Sequence, residues 1–419
     1  MANRAFRTIG DYVDRFYLSR PAIVSSLGEG IETHLSQLLN GAESPLTQSD
    51  KVFRDHQIQG KAGVFGECRF PLRAFPENVA KIHHSRNNQL LWHTLAQIEP
   101  QIQKTIERFG EQRIAVVMGT STTGVDENIP VFKQGALHND WSGAEFSQQQ
   151  QIFSAPADFV AEVYGLKGLT YGISTACTSG ARALISAARL LKNNLCDAVI
   201  CGGVDTLSPL TVSGFGSLSV LSEQQTNPFS VNRNGINIGE GAAVFIMSKE
   251  PLDDHHIQLF GYGSSSDAYH MSSPHPEGEG AIAAFETALK STALSADQIG
   301  WINLHGTGTI HNDQMESLAV AKVFGNQTAC TTTKPYTGHT LGAAGAVEAA
   351  ILWAVISRKY NPIGKLPPQR WDKQADSALP NIAITDENSV WADGQRIGAS
   401  SSFAFGGNNA VLILGETNG

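Results

Sequence analysis

The chain has 419 residues, of which 41% are hydrophobic and 16% are charged, a composition typical of a folded protein with a buried core. This length exceeds what one compact core usually serves, so the sequence predicts two domains or one duplicated domain. The formal net charge of -9 argues against nucleic acid or an anionic membrane as the main partner.

No part of the sequence approaches the roughly 20 consecutive apolar residues that a membrane-spanning helix requires. The N-terminal residues lack the apolar centre of a secretory signal, and the five cysteines are scattered without a CxxC pair. These features predict free thiols, no membrane association and a cytoplasmic location.

Short continuous apolar runs alternate along the chain with segments of helical periodicity. The predicted strands are residues 114–118, 198–201, 243–247, 301–304, 397–401 and 410–414. The predicted helices are residues 178–192, 281–294 and 343–358. Continuous apolar strands indicate a sheet covered on both faces, and their alternation with helices predicts an α/β fold with a mostly parallel sheet.

The order of these elements indicates an internal duplication. A strand, a turn and an Ala-rich helix surround Cys177, and a comparable series follows Trp301. We place the boundary near Phe260, where a polar stretch meets glycine-rich sequence, which gives domains 1–260 and 261–419. The two halves are too different in sequence to establish the repeat by themselves.

The first segment that suggests chemistry is residues 171–180, where small residues precede Cys177 and a helical pattern follows it. This position puts the thiol at a helix N-terminus, where free N–H groups and the helix dipole favour the thiolate. The alternative is a buried structural cysteine, which suits Cys196 and Cys201 better because they lie beside or within an apolar strand.

The second segment is residues 301–309, where a predicted strand delivers His305 onto a turn of glycines and threonines. Strand ends often carry catalytic groups, and imidazole can donate to an oxyanion or exchange a proton near neutral pH. A structural histidine is one alternative. A metal site is another, since His311, Asp313 and Glu316 follow, but their spacing fits no standard zinc pattern and we predict no metal.

The third segment, residues 333–345, places Lys334 and His339 just before a glycine-rich helix start. Taken alone, this arrangement would suit an anion-binding loop that uses helix N–H groups. It lacks the residue order of a nucleotide-binding P-loop, so nucleotide is not the expected ligand.

The fourth segment places Phe403 and Phe405 directly before a Gly-Gly turn between two predicted strands. Two aromatic rings in that position could be plain core. They could also gate an apolar channel, with backbone N–H groups left free by the glycines.

In this order, the four segments resemble those of the ketoacyl synthases of the thiolase superfamily, in particular the carrier-protein-dependent elongating type. That family carries TACTSG, HGTxT, TK…TGHxxGAAG and FxFGG, and this sequence reads TACTSG, HGTGT, TKPYTGHTLGAAG and FAFGG. Four ordered segments are far more specific than any one of them. The resemblance implies a thiolase-like duplicated fold with five layers, α-β-α-β-α, in which the first half carries the nucleophile.

The resemblance also implies a decarboxylative Claisen condensation that yields a 3-oxoacyl-carrier product. Cys177 would attack an acyl-carrier thioester and become the acyl-enzyme. His305 and His339 would assist loss of carbon dioxide from a malonyl-carrier thioester, and Lys334 would orient His305. The backbone N–H groups of Cys177 and Phe405 would form the oxyanion hole.

Supporting and substrate-binding roles follow from the same resemblance. Glu348 would organise the His339 loop, and Asp313 and Glu316 would anchor the His305 loop. The residues implied to contact substrate are Thr122, Thr307, Thr309, Phe403 and Phe405. The two threonines after His305 would contact the phosphopantetheine arm, which arrives on the acyl carrier protein, so no dissociable cofactor is expected.

Two departures from the family pattern predict a specialised synthase, for a secondary lipid or a polyene. Thr122 stands where relatives often place a bulky apolar residue at the pocket floor, and Ile310 stands where many have proline. An acidic carrier protein also predicts a basic docking patch, for which Lys61, Arg69 and Arg73 are candidates.

Two other functions remain as alternatives at this point. A thiolase acting on coenzyme A thioesters would carry a second reactive cysteine near the C-terminus, but none follows Cys330. A chain-length-determining partner subunit of a ketosynthase heterodimer would typically lack the nucleophile, whereas Cys177 is present. Because related proteins are dimers, we expect a homodimer, with a heterodimer containing a second ketosynthase-like subunit as the alternative.

Overall fold

The computed structural model describes residues 15–58, 60–142, 145–392, 394 and 396–417. The strands are β1 Phe16–Leu18, β2 Ala22–Ser25, β3 Gly28–Glu29, β4 Thr47–Ser49, β5 Gly63–Phe65, β6 Ile114–Gly119, β7 Thr170–Ile173, β8 Ala198–Asp205, β9 Gly241–Ser248, β10 Ile257–Ser266, β11 Trp301–Asn303, β12 Ala329–Thr331, β13 Ala383–Ile384, β14 Ile397–Phe403 and β15 Asn408–Glu416. The helices are α1 Gly30–Leu39, α2 Lys51–Arg54, α3 Arg86–Leu95, α4 Glu99–Phe109, α5 Ile129–His138, α6 Gln148–Gln151, α7 Ala155–Tyr164, α8 Ser179–Lys192, α9 Pro209–Ser217, α10 Glu279–Lys290, α11 Ile310–Phe324, α12 Lys334–Thr337 and α13 Ala344–Ile356. Within these ranges, every helix is too short or too polar to traverse a lipid bilayer.

The main sheet contains the same five-strand pattern twice. The strand order is β7-β6-β8-β9-β2 in the first half and β12-β11-β14-β15-β10 in the second. In each half the first three strands run parallel and the last two pairings are antiparallel. Strand β1 pairs with both β9 and β10 and joins the halves. The matching order confirms the duplication, but the sheet is mixed, because β9 and β15 each run back beside the preceding strand.

Five layers result from the way helices cover this sheet. Between the two halves lie α8 and α13, and α13 is buried along its whole length, which explains why its sequence shows no polar face. Helices α3, α4 and α7 cover the outer face of the first half, and α10 and α11 cover that of the second. This is the predicted α-β-α-β-α arrangement.

The predicted boundary between residues 260 and 261 falls inside strand β10, Ile257–Ser266. By its pairing with β15, β10 belongs to the second repeat. The division into domains 1–260 and 261–419 therefore stays a prediction, with β10 crossing it.

Close backbone contacts fix where helix α8 begins. A Cβ atom at Gly119, the last residue of β6, would lie 2.5 Å from the carbonyl carbon of Ser179. A Cβ atom at Gly180 would lie 2.7 Å from the backbone nitrogen of Ala346 in α13. Glycine at these positions lets β6, α8 and α13 meet at one point, which lies immediately beside Cys177.

We expect Gly119→Ala to lower the free energy of unfolding by about 1–3 kcal/mol, because the added methyl group meets backbone atoms that cannot rotate away. Denaturant unfolding would measure this change. The matched control is Gly214→Ala in helix α9, where a Cβ would meet no atom within 4 Å. There we expect a stabilisation of about 0.5–1 kcal/mol, and equal destabilisation of both variants would contradict the packing argument.

Candidate active site

A sharp turn between β7 and α8 presents Cys177. Ala176 has a φ of 50°, a left-handed conformation that costs energy for a residue with a side chain. The hydroxyl of Ser179 holds the turn closed by donating to the Ala176 carbonyl (2.6 Å) and accepting from the N–H of Thr175 (2.9 Å). Helix α8 begins two residues after the thiol, one residue later than the predicted start at residue 178.

The structure brings the two predicted histidines to this thiol. The Nε2 atom of His339 lies 3.1 Å from the Cys177 sulfur. The His305 ring lies nearly perpendicular to the His339 ring, with 5.2 Å between their centroids. One cavity contains these three side chains, and Thr307, Thr309, Phe403 and Phe405 also line it.

His305 is fixed by contacts from several elements. The N–H groups of His305 and Gly306 both donate to the Glu316 carboxylate of α11, each at 2.7 Å. Asp313, also in α11, accepts from the N–H of Gly308 (3.1 Å) and from that of Phe229 (2.8 Å). Both carboxylates therefore hold the His305 loop by its backbone, and burial raises their pKa values to about 6 for Asp313 and about 7 for Glu316.

Lys334 and Glu348 form an ion pair deep in the protein, with each side chain only 2% exposed. The Lys334 ammonium also lies 3.3 Å from Nδ1 of His305. The sequence predicts that Glu348 organises the His339 loop. In the structure its carboxylate binds Lys334, which begins α12 in the segment that leads to His339, and the role of Glu348 stays a prediction.

Burial controls the protonation of the site. It raises the pKa of the Cys177 thiol to about 11, although Lys334 and the backbone N–H groups of Phe405 and Cys177 act in the opposite direction. Burial also lowers the pKa values of His305 and His339 well below their usual range, and Lys334 adds to this effect. Burial thus favours the neutral forms of the thiol and of both imidazoles, and at Cys177 it opposes the thiolate that the helix N-terminus favours.

The Lys334 contact also selects the form of the neutral His305 ring. An ammonium group can only donate, so Nδ1 accepts from Lys334 and the ring proton resides on Nε2. His305 therefore offers an N–H donor to the cavity. The backbone N–H groups of Cys177 and Phe405, which act to lower the pKa of the Cys177 thiol, are the predicted oxyanion-hole donors.

Cys177, His305 and His339 also place three potential metal ligands within 4.8 Å of one another. The Lys334 ammonium beside His305 already supplies positive charge there, which disfavours a metal cation. The predicted absence of a metal remains a prediction that rests on this electrostatic argument.

Phe405 and Thr122 differ in how they relate to the cavity. The Phe405 ring packs 5.5 Å from that of Phe215 at the cavity wall, before Gly406 and Gly407, which both have positive φ. Thr122 is buried and outside the set of cavity-lining residues, because its hydroxyl donates to Asp205 at 2.7 Å. Its role as a substrate contact stays a prediction.

The three basic residues predicted to dock a carrier protein have different surroundings. Arg69 contacts Glu67 (3.4 Å), and Arg73 pairs with Glu99 (3.0 Å). Lys61 lines a surface groove between the β4–β5 hairpin and helix α9, near the wall of the cavity that contains Cys177. Of the three, Lys61 has the environment that best suits an approaching acidic partner.

The sequence did not reveal several residues that hold the candidate catalytic side chains and their loops in place. Ser401 donates to Glu316 at 2.8 Å, and the Asn237 carbonyl accepts from the N–H of His339 at 2.7 Å. Asp205 is fully buried next to the site. An acidic residue at the end of a continuous apolar strand was the available signal for Asp205, whereas a serine and a backbone carbonyl carry none.

Comparison with known proteins agrees with this geometry. The model of the N-terminal domain of beta-ketoacyl synthases matches residues 89–251, and that of the C-terminal domain matches residues 256–363. The chain is 33% identical over 310 residues to 3-oxoacyl-[acyl-carrier-protein] synthase 2 of Coxiella burnetii, covering 70% of this chain and 69% of the relative.

Solved structures show the same fold over nearly the whole chain. A ketosynthase in complex with its chain length factor from Xenorhabdus doucetiae is 40% identical, with a TM-score of 0.86 and coverage of 96% of this chain and 98% of that one. A beta-ketoacyl synthase from Burkholderia phymatum is 25% identical, with a TM-score of 0.83 and coverage of 97% and 100%.

The duplicated fold and the buried thiol with two imidazoles define a condensing enzyme of the thiolase-like class. Within that class, the chain belongs to the beta-ketoacyl synthase family. This membership favours the synthase over the thiolase alternative.

We expect the alkylation rate of Cys177 by iodoacetamide to rise about tenfold per pH unit from pH 7 to 10, with a plateau near pH 11. The reason is that burial keeps the thiol protonated at neutral pH. Mass spectrometry of the peptide containing Cys177 would give the rates, with Cys177→Ser to identify background labelling. A plateau below pH 8 would show that Lys334 and the N–H groups outweigh burial.

Proposed function

We propose that this enzyme condenses an acyl group held on Cys177 with a malonyl-carrier thioester to give a 3-oxoacyl-carrier product. In the first half-reaction the Cys177 sulfur attacks the carbonyl carbon of an acyl-carrier thioester. The bond to the carrier sulfur breaks, and the thiol proton reaches the departing carrier thiolate. Nε2 of His339, at 3.1 Å, is the closest group to relay that proton.

In the second half-reaction a malonyl-carrier thioester loses carbon dioxide, and the electrons of the broken carbon–carbon bond form an enolate. The Nε2–H donor of His305, fixed by Lys334, stabilises the enolate oxygen, with the His339 ring beside it. The enolate carbon then attacks the acyl carbon on Cys177. The carbon–sulfur bond breaks, its electron pair leaves with the sulfur, and the Cys177 thiolate takes up a proton from solvent to restore the thiol. The N–H groups of Cys177 and Phe405 stabilise the oxyanion of that step.

The observation that carries this proposal is the contact between Cys177 and His339 inside a cavity that His305 shares. A chain-length-determining subunit would need neither the nucleophile nor the imidazoles. The pantetheine arm enters as part of the carrier substrate, along Thr307 and Thr309 at the cavity wall.

Intact-mass analysis of the protein mixed with acyl-carrier and malonyl-carrier substrates would test the proposal. We expect an acyl adduct on the native chain and then a 3-oxoacyl-carrier product. We expect no adduct on Cys177→Ala and a normal adduct on Cys196→Ala, which removes another buried cysteine. An adduct that survives Cys177→Ala would contradict the assignment, and no adduct with any chain length would favour the partner-subunit role.

Saturated and conjugated acyl chains of equal length would be supplied in parallel in that experiment. This comparison tests the specialised substrate, a secondary lipid or a polyene, which the sequence departures at Thr122 and Ile310 predict. Thr122 itself binds Asp205 and does not line the cavity. Acceptance of ordinary saturated chains alone would contradict this specialisation.

The enzyme is also proposed to work as a dimer, with either a second copy or a chain length factor as partner. Strand β7 forms one edge of the main sheet, and an unpaired strand edge favours pairing with another chain. Exposed apolar side chains lie before β7 and in the segments that precede it, namely Phe132, Phe146, Phe153 and Leu169. The ketosynthase from Xenorhabdus doucetiae is itself in complex with its chain length factor.

For the isolated chain of 44.9 kDa, we expect light scattering after size exclusion to give roughly twice that mass. Leu169→Glu should yield the monomer, because the charge would be buried at the β7 edge. Val390→Glu, a similarly exposed position in the second half, should leave the mass unchanged. A monomeric native chain that doubles in mass only with a coexpressed chain length factor would establish the heterodimer instead.

A further inference from the structure

Asp205 is a buried carboxylate surrounded by neutral hydrogen-bond donors. It ends strand β8 and has no exposed surface. Three donors are side-chain hydroxyls, those of Thr120 (2.7 Å), Ser121 (2.6 Å) and Thr122 (2.7 Å). Three are backbone N–H groups, those of Ser121 (2.9 Å), Thr122 (2.9 Å) and Gly342 (2.5 Å). Six donors from two separate segments therefore converge on one side chain.

Such a cradle stabilises a charge that the protein interior would otherwise disfavour. An ionised carboxylate without hydrogen bonds is very costly in a low-dielectric interior, and a set of oriented N–H and O–H groups offsets that cost. Gly342 can approach because it has no side chain: a Cβ atom there would lie 2.5 Å from Oδ2 of Asp205. A neutral side chain of the same shape would leave several of these donors without an acceptor.

The two segments that meet at Asp205 both belong to the active site's surroundings. Residues 120–122 continue from β6, whose last residue, Gly119, packs on the start of the helix that follows Cys177. Gly342 lies in a short turn, Leu341–Ala343, that directly follows the His339 segment. Asp205 thus connects the segment that packs beside the Cys177 turn, residues 120–122, to the turn that follows His339.

We propose that Asp205 is a positioning residue of the condensing site, whose carboxylate ties residues 120–122 to Gly342 and so holds His339 against Cys177. The inference rests on the proposed function only where kcat for condensation is measured; the alkylation of Cys177 does not depend on it. A second consequence is electrostatic: the negative charge of Asp205 contributes to the raised pKa of the Cys177 thiol. Asp205 is not one of the residues that line the cavity, so its effect on the reaction passes through these neighbours.

The decisive variant is Asp205→Asn, which removes the negative charge. It also replaces one acceptor oxygen by an amide NH2 group, which faces N–H and O–H donors and cannot accept from them. We expect kcat for condensation to fall at least about tenfold, because small displacements of reacting groups are costly. We expect the KM values for both carrier substrates to change by less than about threefold, since Asp205 lies outside the cavity. The pH at which Cys177 alkylation reaches its plateau should decrease, because a nearby negative charge has been removed.

Thr122→Val provides a milder variant, since it removes one hydroxyl donor and keeps the carboxylate. Its matched control is Thr94→Val, which removes a buried hydroxyl whose bond goes to Leu90 within helix α3. We expect a lower kcat for Thr122→Val, by a smaller factor than for Asp205→Asn, and native kcat for Thr94→Val. If Asp205→Asn does not fold, this pair decides the question.

Native kcat and a native alkylation profile in folded Asp205→Asn would overturn the proposal. An equal loss of kcat in Thr122→Val and Thr94→Val would also overturn it, because the effect would then be general to buried hydroxyls. The alkylation profile requires no carrier substrate. A native chain that fails to condense would therefore refute the proposed function while the alkylation measurement still tests Asp205.

Discussion

The buried ion pair between Lys334 and Glu348 is the interaction on which the active site depends. Two opposite charges in a dry interior are each costly alone, and removal of one leaves the other uncompensated. Here the pair holds the lysine at His305 Nδ1, which decides which imidazole nitrogen carries the proton. In the proposed reaction, the same ammonium group provides positive charge next to the enolate.

The duplicated fold explains how residues so distant in sequence come to share one cavity. Each repeat ends its parallel strands at the same edge of its half-sheet, and each sends an Ala-rich helix back through the middle layer. The first repeat presents Cys177 before α8, and the second presents His339 before α13. Because α8 and α13 pack together through glycine and alanine, the two helix starts lie close enough for a direct contact between sulfur and imidazole.

Burial also sets the charge of the reacting side chains before substrate binds. A thiol with a raised pKa and two imidazoles with lowered pKa values make a site that contains little charge of its own before substrate arrives. In the proposed acyl transfer, the developing charge meets the backbone N–H groups of Cys177 and Phe405, which need not reorient. Fixed carboxylates, Glu316 and Asp313 at the His305 loop and Asp205 behind residues 120–122, keep those donors and rings in position.

The sequence alone determined where the buried strands and central helices lie, because continuous apolar runs and Ala-rich helical periods reflect burial directly. It also predicted the reacting side chains through four ordered segments, and the structure places Cys177, His305 and His339 in one cavity with Lys334 behind His305. Only the tertiary structure decided that Glu348 pairs with Lys334, that the sheet is mixed, and that Asp205 gathers six donors. These features depend on which distant segments meet and on how deeply they are buried, and neither quantity is a property of a short stretch of sequence.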